Sequence, residues 1–336
     1  MGEDLYRLLT PKFETPRIQY PGKINTVEIG KTPPEGTRAY SLILGGAKDI
    51  PFFEKQAEPL RRPYIGMQVQ VPPENIPNQV STELREILDK PIEWAKFCIE
   101  ECEADTIQVR FNLPGRVINE EVIKKVEELS RALVDELDVP LIFSGPDIKE
   151  IDHQILETVA KSTRGEQVLL GSARLDNDYA RIAKAALDNH HVVLASTDCD
   201  PPSQKMLNDR LLDLGLSKSQ IVIDPTTAAL GYGLEYSLSI TEQIRMNALK
   251  GDQSMQMPIA AFPLSGWTAR EAAFEGPQFG KQYSRGVIWE LTTALAMFLA
   301  GAELLVMLHP ETVKRYRLLM GESGLDDPST ILGRTR

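Results

Sequence analysis

Apolar residues along this chain fall into short runs separated by longer stretches of helical periodicity. The clearest case runs from Tyr283 to Pro310, YSRGVIWELTTALAMFLAGAELLVMLHP. Its pattern predicts a long apolar helix, a stop at Gly301, a buried strand from Leu304 to Leu308, and then His309-Pro310. Glu290, Thr292 and Thr293 interrupt the helix too often for a bilayer span, so it is expected to press against a sheet. A short apolar run bounded by turn signals suits a strand covered on both faces. Helix followed by strand is half of a β/α repeat.

Seven earlier runs have the same character. They are Tyr64 to Val71, Thr106 to Phe111, Pro140 to Phe143, Val168 to Leu170, Val192 to Ala195, Ile221 to Ile223 and Pro258 to Phe262. Helical patterns lie between them, including Asn119 to Leu137, residues 150–162, a helix from about Asp176, and one near 203–214. Alternation of this kind implies a parallel sheet. Eight units in roughly 250 residues fit a closed (β/α)8 TIM barrel. An open doubly wound sheet is the alternative, but its glycine-rich loop after the first strand is replaced here by Val71-Pro72-Pro73-Glu74.

The first 60 residues do not follow this rhythm. Arg17 to Gln19 and Asn25 to Glu28 alternate apolar and polar around Pro21-Gly22, a hairpin signal. Tyr40 to Leu44 reads as a third short strand ended by Gly45-Gly46. The expected organisation is an N-terminal β-rich arm (1–60), a barrel (61–320) and a C-terminal tail (321–336).

Composition narrows the partners. The 336 residues are 42% hydrophobic and 25% charged, which supports a sizeable core. A net charge of -11 argues against nucleic acid and against an anionic membrane surface. The first residues contain no apolar core of signal-peptide length, and Tyr6 stands where a myristoylation pattern needs Ser or Thr. A cytoplasmic location is expected. Three cysteines, Cys98, Cys102 and Cys199, are one too few for a four-thiolate cluster within the chain. They read as buried or half-buried thiols of a reducing compartment.

A β/α barrel carries its chemistry in the loops at the C-terminal strand ends. That rule selects Asn112, Ser144, Gly171, Ser172, Thr197, Asp198, Asp224, Thr226, Thr227 and His309. Asp198, Asp224, Ser144, Ser172 and Thr197 have an equally plain reading as helix caps, and His309 as a turn residue before Pro310. His190-His191 belongs to the opposite end and reads as structural. No hydrolytic, zinc-protease or phosphate-loop motif is present. The long loop from Leu264 to Gln282 holds Trp267, Phe274 and Phe279, which either stack on a flat ligand or anchor the loop to the rim.

Several blocks resemble the small (delta) subunit of the corrinoid iron–sulfur protein of the acetyl-CoA decarbonylase/synthase system. They are SRGVIWELTTALAMFLAGAELLVMLHPETV, LGGAKDIPFF, DKPIEWAKFCIEECEADTIQVRF, LLGSARLDNDY and IVIDPTTAALGYGLEYSLSITEQIR. They follow in order from about position 25 to 320. The resemblance implies a (β/α)8 subunit paired with a larger subunit that carries the iron–sulfur cluster. A corrinoid (cobalamin) would be shared between the two. The family's methyl group comes from a methyltetrahydrofolate:corrinoid methyltransferase and passes to acetyl-CoA synthase. The resemblance supplies no short ligating motif, so the ten rim residues stand as the cofactor-binding candidates.

Two readings of different class follow. The first is a non-catalytic methyl-carrier subunit that supplies one wall of a corrinoid pocket. The second is a pterin-dependent methyltransferase of TIM-barrel fold, for which Asn112, Asp198 and Asp224 have suitable chemistry. A plain aldolase-type barrel needs a strand-end Lys, and no predicted strand contains one. The cysteine count generates the first prediction: the anaerobically purified monomer carries no stoichiometric iron and sulfide, and finding both would overturn the assignment of the cluster to a partner.

Overall fold

The computed structural model describes residues 19–49, 62–274, 276, 278 and 280–322. Two short strands come first, β1 (Val27–Ile29) and β2 (Leu42–Leu44). Eight barrel strands follow: β3 (Tyr64–Val71), β4 (Thr106–Phe111), β5 (Leu141–Ser144), β6 (Leu169–Ala173), β7 (Val192–Ser196), β8 (Ile221–Asp224), β9 (Ala260–Ala261) and β10 (Leu304–Met307). The helices are α1 (Asn78–Glu83), α2 (Pro91–Glu100), α3 (Glu120–Glu136), α4 (Asp152–Ser162), α5 (Tyr179–Asn189), α6 (Pro201–Asp213), α7 (Leu234–Leu249), α8 (Arg270–Ala273), α9 (Gln282–Ala300) and α10 (Pro310–Glu322). No helix among the described residues is long and apolar enough to cross a membrane.

The strands pair in parallel in the order β8-β7-β6-β5-β4-β3-β10-β9. A single parallel bridge from Ile223 to Ile259 joins the two ends, and the Ile223 N–H donates to the Pro258 carbonyl at 2.8 Å. The expected closed eight-stranded barrel is therefore the observed fold. Its apolar runs are strands because both faces are covered, one by the interior and one by the helix ring. Strand β9 is shorter than the predicted Pro258 to Phe262. Pro258 has no N–H to give, and the Phe262 N–H goes to the Thr227 hydroxyl at 2.9 Å.

Two local expectations need correction. Gly171-Ser172-Ala173 was expected as a connector, but it lies inside β6, where the register shifts between Gly171 and Ala173 before pairing resumes at Ala195. Gly171 is pressed against β7, and a Cβ there would sit 2.8 Å from Leu194. Of the hairpin predicted around Pro21-Gly22, Arg17 and Ile18 lie outside the described residues, and Gln19 is not in a strand. Strand β1 pairs instead with the expected third strand, Val27 with Leu44 and Ile29 with Leu42, antiparallel. The Gly22 N–H donates to the Leu249 carbonyl at 2.7 Å, and a Cβ there would stand 2.1 Å from the Ala248 carbonyl oxygen. A tertiary contact thus uses the turn residues that the local pattern assigned to a hairpin.

The β1–β2 hairpin plugs the base of the barrel. Its apolar residues Ile24, Val27, Ile29, Leu42 and Leu44 are buried in the same core as the strands. Its polar groups meet residues just ahead of the barrel strands. The N–H groups of Asn25, Gly30 and Ala39 donate to the carbonyls of Gln256, Gln167 and Asp138 at 2.8, 2.9 and 2.7 Å. The Tyr40 hydroxyl donates to the Asp105 carbonyl at 2.7 Å. Arg38, 1% exposed, pairs with Glu166 at 3.0 Å and donates to the carbonyls of Leu137, Val139 and Val134. Removing one partner of such a buried pair costs about 3–5 kcal/mol.

Helix α9 ends as its sequence predicts. Gly301 caps it with φ 114°, in the left-handed region, and a Cβ there would meet Arg245 Nε at 2.8 Å. Gly301→Val therefore combines a disfavoured backbone conformation with a clash against a buried guanidinium. It is expected to destabilise the fold by about 1–2 kcal/mol or more, read as a lower denaturation midpoint. An unchanged midpoint would show that the helix end tolerates a side chain.

Candidate functional site

The ten rim candidates lie at or near the C-terminal ends of the barrel strands and fall into hydrogen-bonded groups, the first two of which share Arg110. The first is a chain of amides across β3, β4 and β5. Gln70 Nε2 donates to Gln68 Oε1 and Gln68 Nε2 to Gln108 Oε1, both at 2.9 Å. Gln108 Nε2 then donates to the Ser144 hydroxyl at 2.7 Å. Asn112 Nδ2 donates to Gln70 Oε1 and to the Pro72 carbonyl, each at 2.9 Å, and Asn112 Oδ1 accepts from Arg110 Nε at 3.1 Å. The pairing register explains the chain, since Gln68 stands beside Gln108 and Arg110 beside Ser144.

Gln68, Gln70, Gln108 and Arg110 were not among the sequence candidates. Their signal was present as period-2 polar positions in YIGMQVQV and TIQVRF. In strands covered on both faces, such positions lie on one face and need partners there.

The second group is a belt of ion pairs on β4 and the loops after β5 to β7. Arg110 pairs with Asp147 at 2.7 Å, and Lys149 with Asp176 at 2.6 Å. Arg174 pairs with Asp176 at 3.4 Å and with Asp198 at 2.6 Å. Asp198 is exposed and is held by Arg174 rather than capping a helix; the caps of α5 and α6 are Asp178 and Asp200. Ser172 contributes its carbonyl, which accepts from Asn177 Nδ2 at 2.9 Å.

The third group is a carboxylate knot at the ends of β7 and β8. Asp224 accepts from the Ser196 hydroxyl at 2.9 Å and from the Thr226 N–H at 2.9 Å. The Thr226 hydroxyl donates to the Thr197 carbonyl at 2.7 Å. Thr197 turns its own hydroxyl inward to Gln204 Oε1 at 2.8 Å. Burial pushes the Asp224 carboxyl up to about 6. Asp152, at the start of α4, is raised to about 6 for the same reason. Asn112, Asp198 and Asp224, the residues that the pterin reading would use together, thus belong to three different groups.

His309 stands apart. It is fully buried, with Trp267 stacked on one side at 5.3 Å and Tyr283 edge-on at 5.2 Å. Its Nδ1 accepts from the Glu311 N–H at 3.1 Å, which favours the turn role. Nε2 lies 3.3 Å from Glu83 Oε2, and the Tyr283 hydroxyl reaches the same carboxylate at 3.1 Å. Burial lowers the imidazole to about 4, so it is neutral at physiological pH. Glu290 of α9 accepts the Leu308 N–H at 2.6 Å and the His309 N–H at 3.3 Å. Burial pushes its carboxyl up from the usual range. Trp267 anchors the long loop to the barrel, as one of its two expected readings held; Phe279 lies outside the described residues.

The Asp224 geometry predicts a pH effect. A carboxyl raised in the folded state stabilises the fold below its unfolded value near 4 and loses that contribution as pH rises through about 6. Asp224→Asn keeps an acceptor for the Thr226 N–H and removes the buried charge. It is expected to match wild type at pH 4 and to be more stable at pH 8, by roughly 3 kcal/mol at most. Equal stability at both pH values would show that the carboxyl is not strained by burial.

The family model described as the CO dehydrogenase/acetyl-CoA synthase delta subunit matches residues 26–314. Relatives named acetyl-CoA decarbonylase/synthase complex subunit delta include that of Archaeoglobus fulgidus, 37% identical over 91% of this chain and 70% of the relative. That of Methanothermobacter thermautotrophicus is 36% identical over 94% of this chain and 79% of the relative. Among solved structures, dihydropteroate synthase from Xanthomonas albilineans superposes with TM-score 0.55 at 15% identity, covering 79% of this chain and 95% of that one. The enzyme from Vibrio fischeri gives 0.56 at 13% identity, covering 91% and 99%. At such identities these structures establish the barrel fold alone.

Proposed function

The chain belongs to the delta-subunit family of the CO dehydrogenase/acetyl-CoA synthase system, and we propose that it is the small, non-catalytic subunit of a heterodimeric corrinoid iron–sulfur protein. In this reading it works in the cytoplasm. Its large partner subunit holds the iron–sulfur cluster, and the corrinoid lies between this barrel's mouth and that partner. A methyltetrahydrofolate:corrinoid methyltransferase supplies the methyl group, and acetyl-CoA synthase receives it. The cobalt of the corrinoid is what takes up and releases that methyl group.

The observation that supports this reading most directly is the amide chain ending in Ser144. A corrin periphery presents amide side chains, which need donors and acceptors together. Gln70, Asn112 and Ser144 offer both kinds at the strand ends, and among the described residues Ser144 donates no hydrogen bond of its own. These groups are already oriented by one another, so they bind and orient a polar edge without first being ordered. The ion pairs from Arg110 to Asp198 tie β4 to the three loops after β5, β6 and β7 and keep the rim in place.

The chain's own residues also define what it does not contribute. His309 is enclosed by Trp267 and Tyr283, so no imidazole from this position reaches a cobalt at the mouth. The Cys98 and Cys102 thiols are buried, and burial pushes Cys102 up to about 11 and Cys98 well above its ordinary value. Both disfavour the thiolate that a cluster requires.

One barrel face covers one side of a macrocycle, whereas ligand sites commonly bury most of their ligand. The isolated chain is therefore expected to bind cobalamin weakly or not at all, while the heterodimer retains it through gel filtration. His309→Ala in the heterodimer should leave the visible spectrum of the bound corrinoid unchanged. Tight binding by the monomer, or a spectral shift in that variant, would point to a self-contained, His-ligated cofactor domain.

A further inference from the structure

The amide chain at the mouth runs in one direction. A side-chain amide accepts through its oxygen and donates through its nitrogen, so its orientation is set once a one-way group is its partner. Three such groups stand at the outer end of the chain. The Arg110 guanidinium can only donate, and its Nε meets Asn112 Oδ1 at 3.1 Å. The Pro72 carbonyl can only accept, and it takes Asn112 Nδ2 at 2.9 Å. The Glu74 N–H can only donate, and it meets Gln70 Oε1 at 3.3 Å. Asn112 Nδ2 also donates to Gln70 Oε1 at 2.9 Å, which agrees with both.

The inner amides follow link by link. Gln70 turns its nitrogen to Gln68, so Gln68 must present oxygen there and nitrogen to Gln108. Gln108 must then present oxygen to Gln68 and nitrogen to the Ser144 hydroxyl. Reversing one link would set nitrogen against nitrogen or oxygen against oxygen. Gln68 and Gln108 are each 3% exposed, so water does not make good such a mismatch.

Ser144 is where the chain ends. Its oxygen accepts from Gln108 Nε2, so its proton points away from that amide. On the other side β6 places Gly171 in register with Ser144, and a glycine has no side chain to take the proton. Among the described residues the hydroxyl donates to no group. Ser144 is also the last residue of β5, at the mouth. A buried hydroxyl with an unused proton calls for a partner, and each polarised amide behind it strengthens it as a donor.

We propose that Ser144 is a specificity-determining residue of the mouth, a donor of fixed polarity that selects a carbonyl oxygen of the ligand. This rests on the corrinoid reading above, in which that oxygen belongs to a peripheral amide of the corrin. Gln108 is the positioning residue that turns the Ser144 proton outward. Arg110, Pro72 and Glu74 set its orientation from the far end of the chain.

The test titrates cobalamin into the cofactor-free heterodimer. Ser144→Ala is expected to weaken binding roughly two- to tenfold, the share of one hydrogen bond. Ser144→Thr keeps the hydroxyl on a residue suited to a strand and should bind like wild type. Gln108→Glu still accepts from Gln68, but its carboxylate also accepts from Ser144 and turns that proton inward. Its binding should be weaker while the carboxyl is charged and recover as pH falls, when the protonated carboxyl donates to Ser144 again. Asp152, Asp224 and the Arg110–Asp147 pair are present in both proteins, so each pH is read against wild type. Should Gln108→Glu unfold, the Ala and Thr variants decide alone. Wild-type affinity in Ser144→Ala, equal weakness in Ser144→Thr, or a Gln108→Glu loss that acid does not reverse would overturn the proposal and leave the corrinoid reading intact. A wild-type heterodimer that takes up no cobalamin would overturn both. Methyltetrahydrofolate binding that Ser144→Ala abolishes would assign the donor to a pterin carbonyl and overturn the proposal.

Discussion

Sealing of one barrel end is the constraint on which the rest of the structure depends. A closed parallel barrel has two ends, each with backbone groups that must find partners. Here the base is occupied by the β1–β2 hairpin, whose N–H groups and side chains meet the residues just ahead of β4, β5, β6, β9 and β10. Arg38 shows how demanding that seal is: its guanidinium is buried and satisfied by Glu166 and three carbonyls. With the base closed in this way, the mouth is the end left for chemistry, as β/α barrels use it.

The interior of the mouth departs from the usual aliphatic filling. Buried amides are costly unless every member of a network is satisfied, and among the described residues Gln68 and Gln108 are satisfied by one another, Gln70 and Ser144. The same reasoning applies to α9. Its inner face and the buried Glu290 hold the β10–α10 junction through the Leu308 and His309 N–H groups.

Most of the fold was legible because the pattern and the physics coincide. Strands covered on both faces have to be apolar runs, and Asn119, predicted at the start of a helix, does cap α3 by accepting the Val122 N–H at 2.9 Å. Failures occurred where a tertiary contact overrode a local signal. Pro21-Gly22 looks like a hairpin turn, yet its N–H is claimed by Leu249. Gly171-Ser172-Ala173 looks like a loop, yet it is held in β6 by pairing with β7. The rim positions followed from topology alone, and their grouping did not. Neither the Asp198–Arg174 pair nor the enclosure of His309 by Trp267 has a signature at short range in sequence, since each partner comes from another loop. The buried glutamines were readable from their period-2 positions, had the strand interior been treated as a site.

The central claim is that the mouth, and not the hairpin end, meets the cofactor and its carrier. Hydrogen–deuterium exchange on the free chain and on the corrinoid-loaded heterodimer tests it directly. The account predicts new protection in the segments that follow β3 to β8, around Asn112, Ser144, Asp198 and Thr226, with exchange at Val27–Ile29 and Leu42–Leu44 unchanged. Protection that appears at the hairpin and leaves the mouth segments as they were would contradict it.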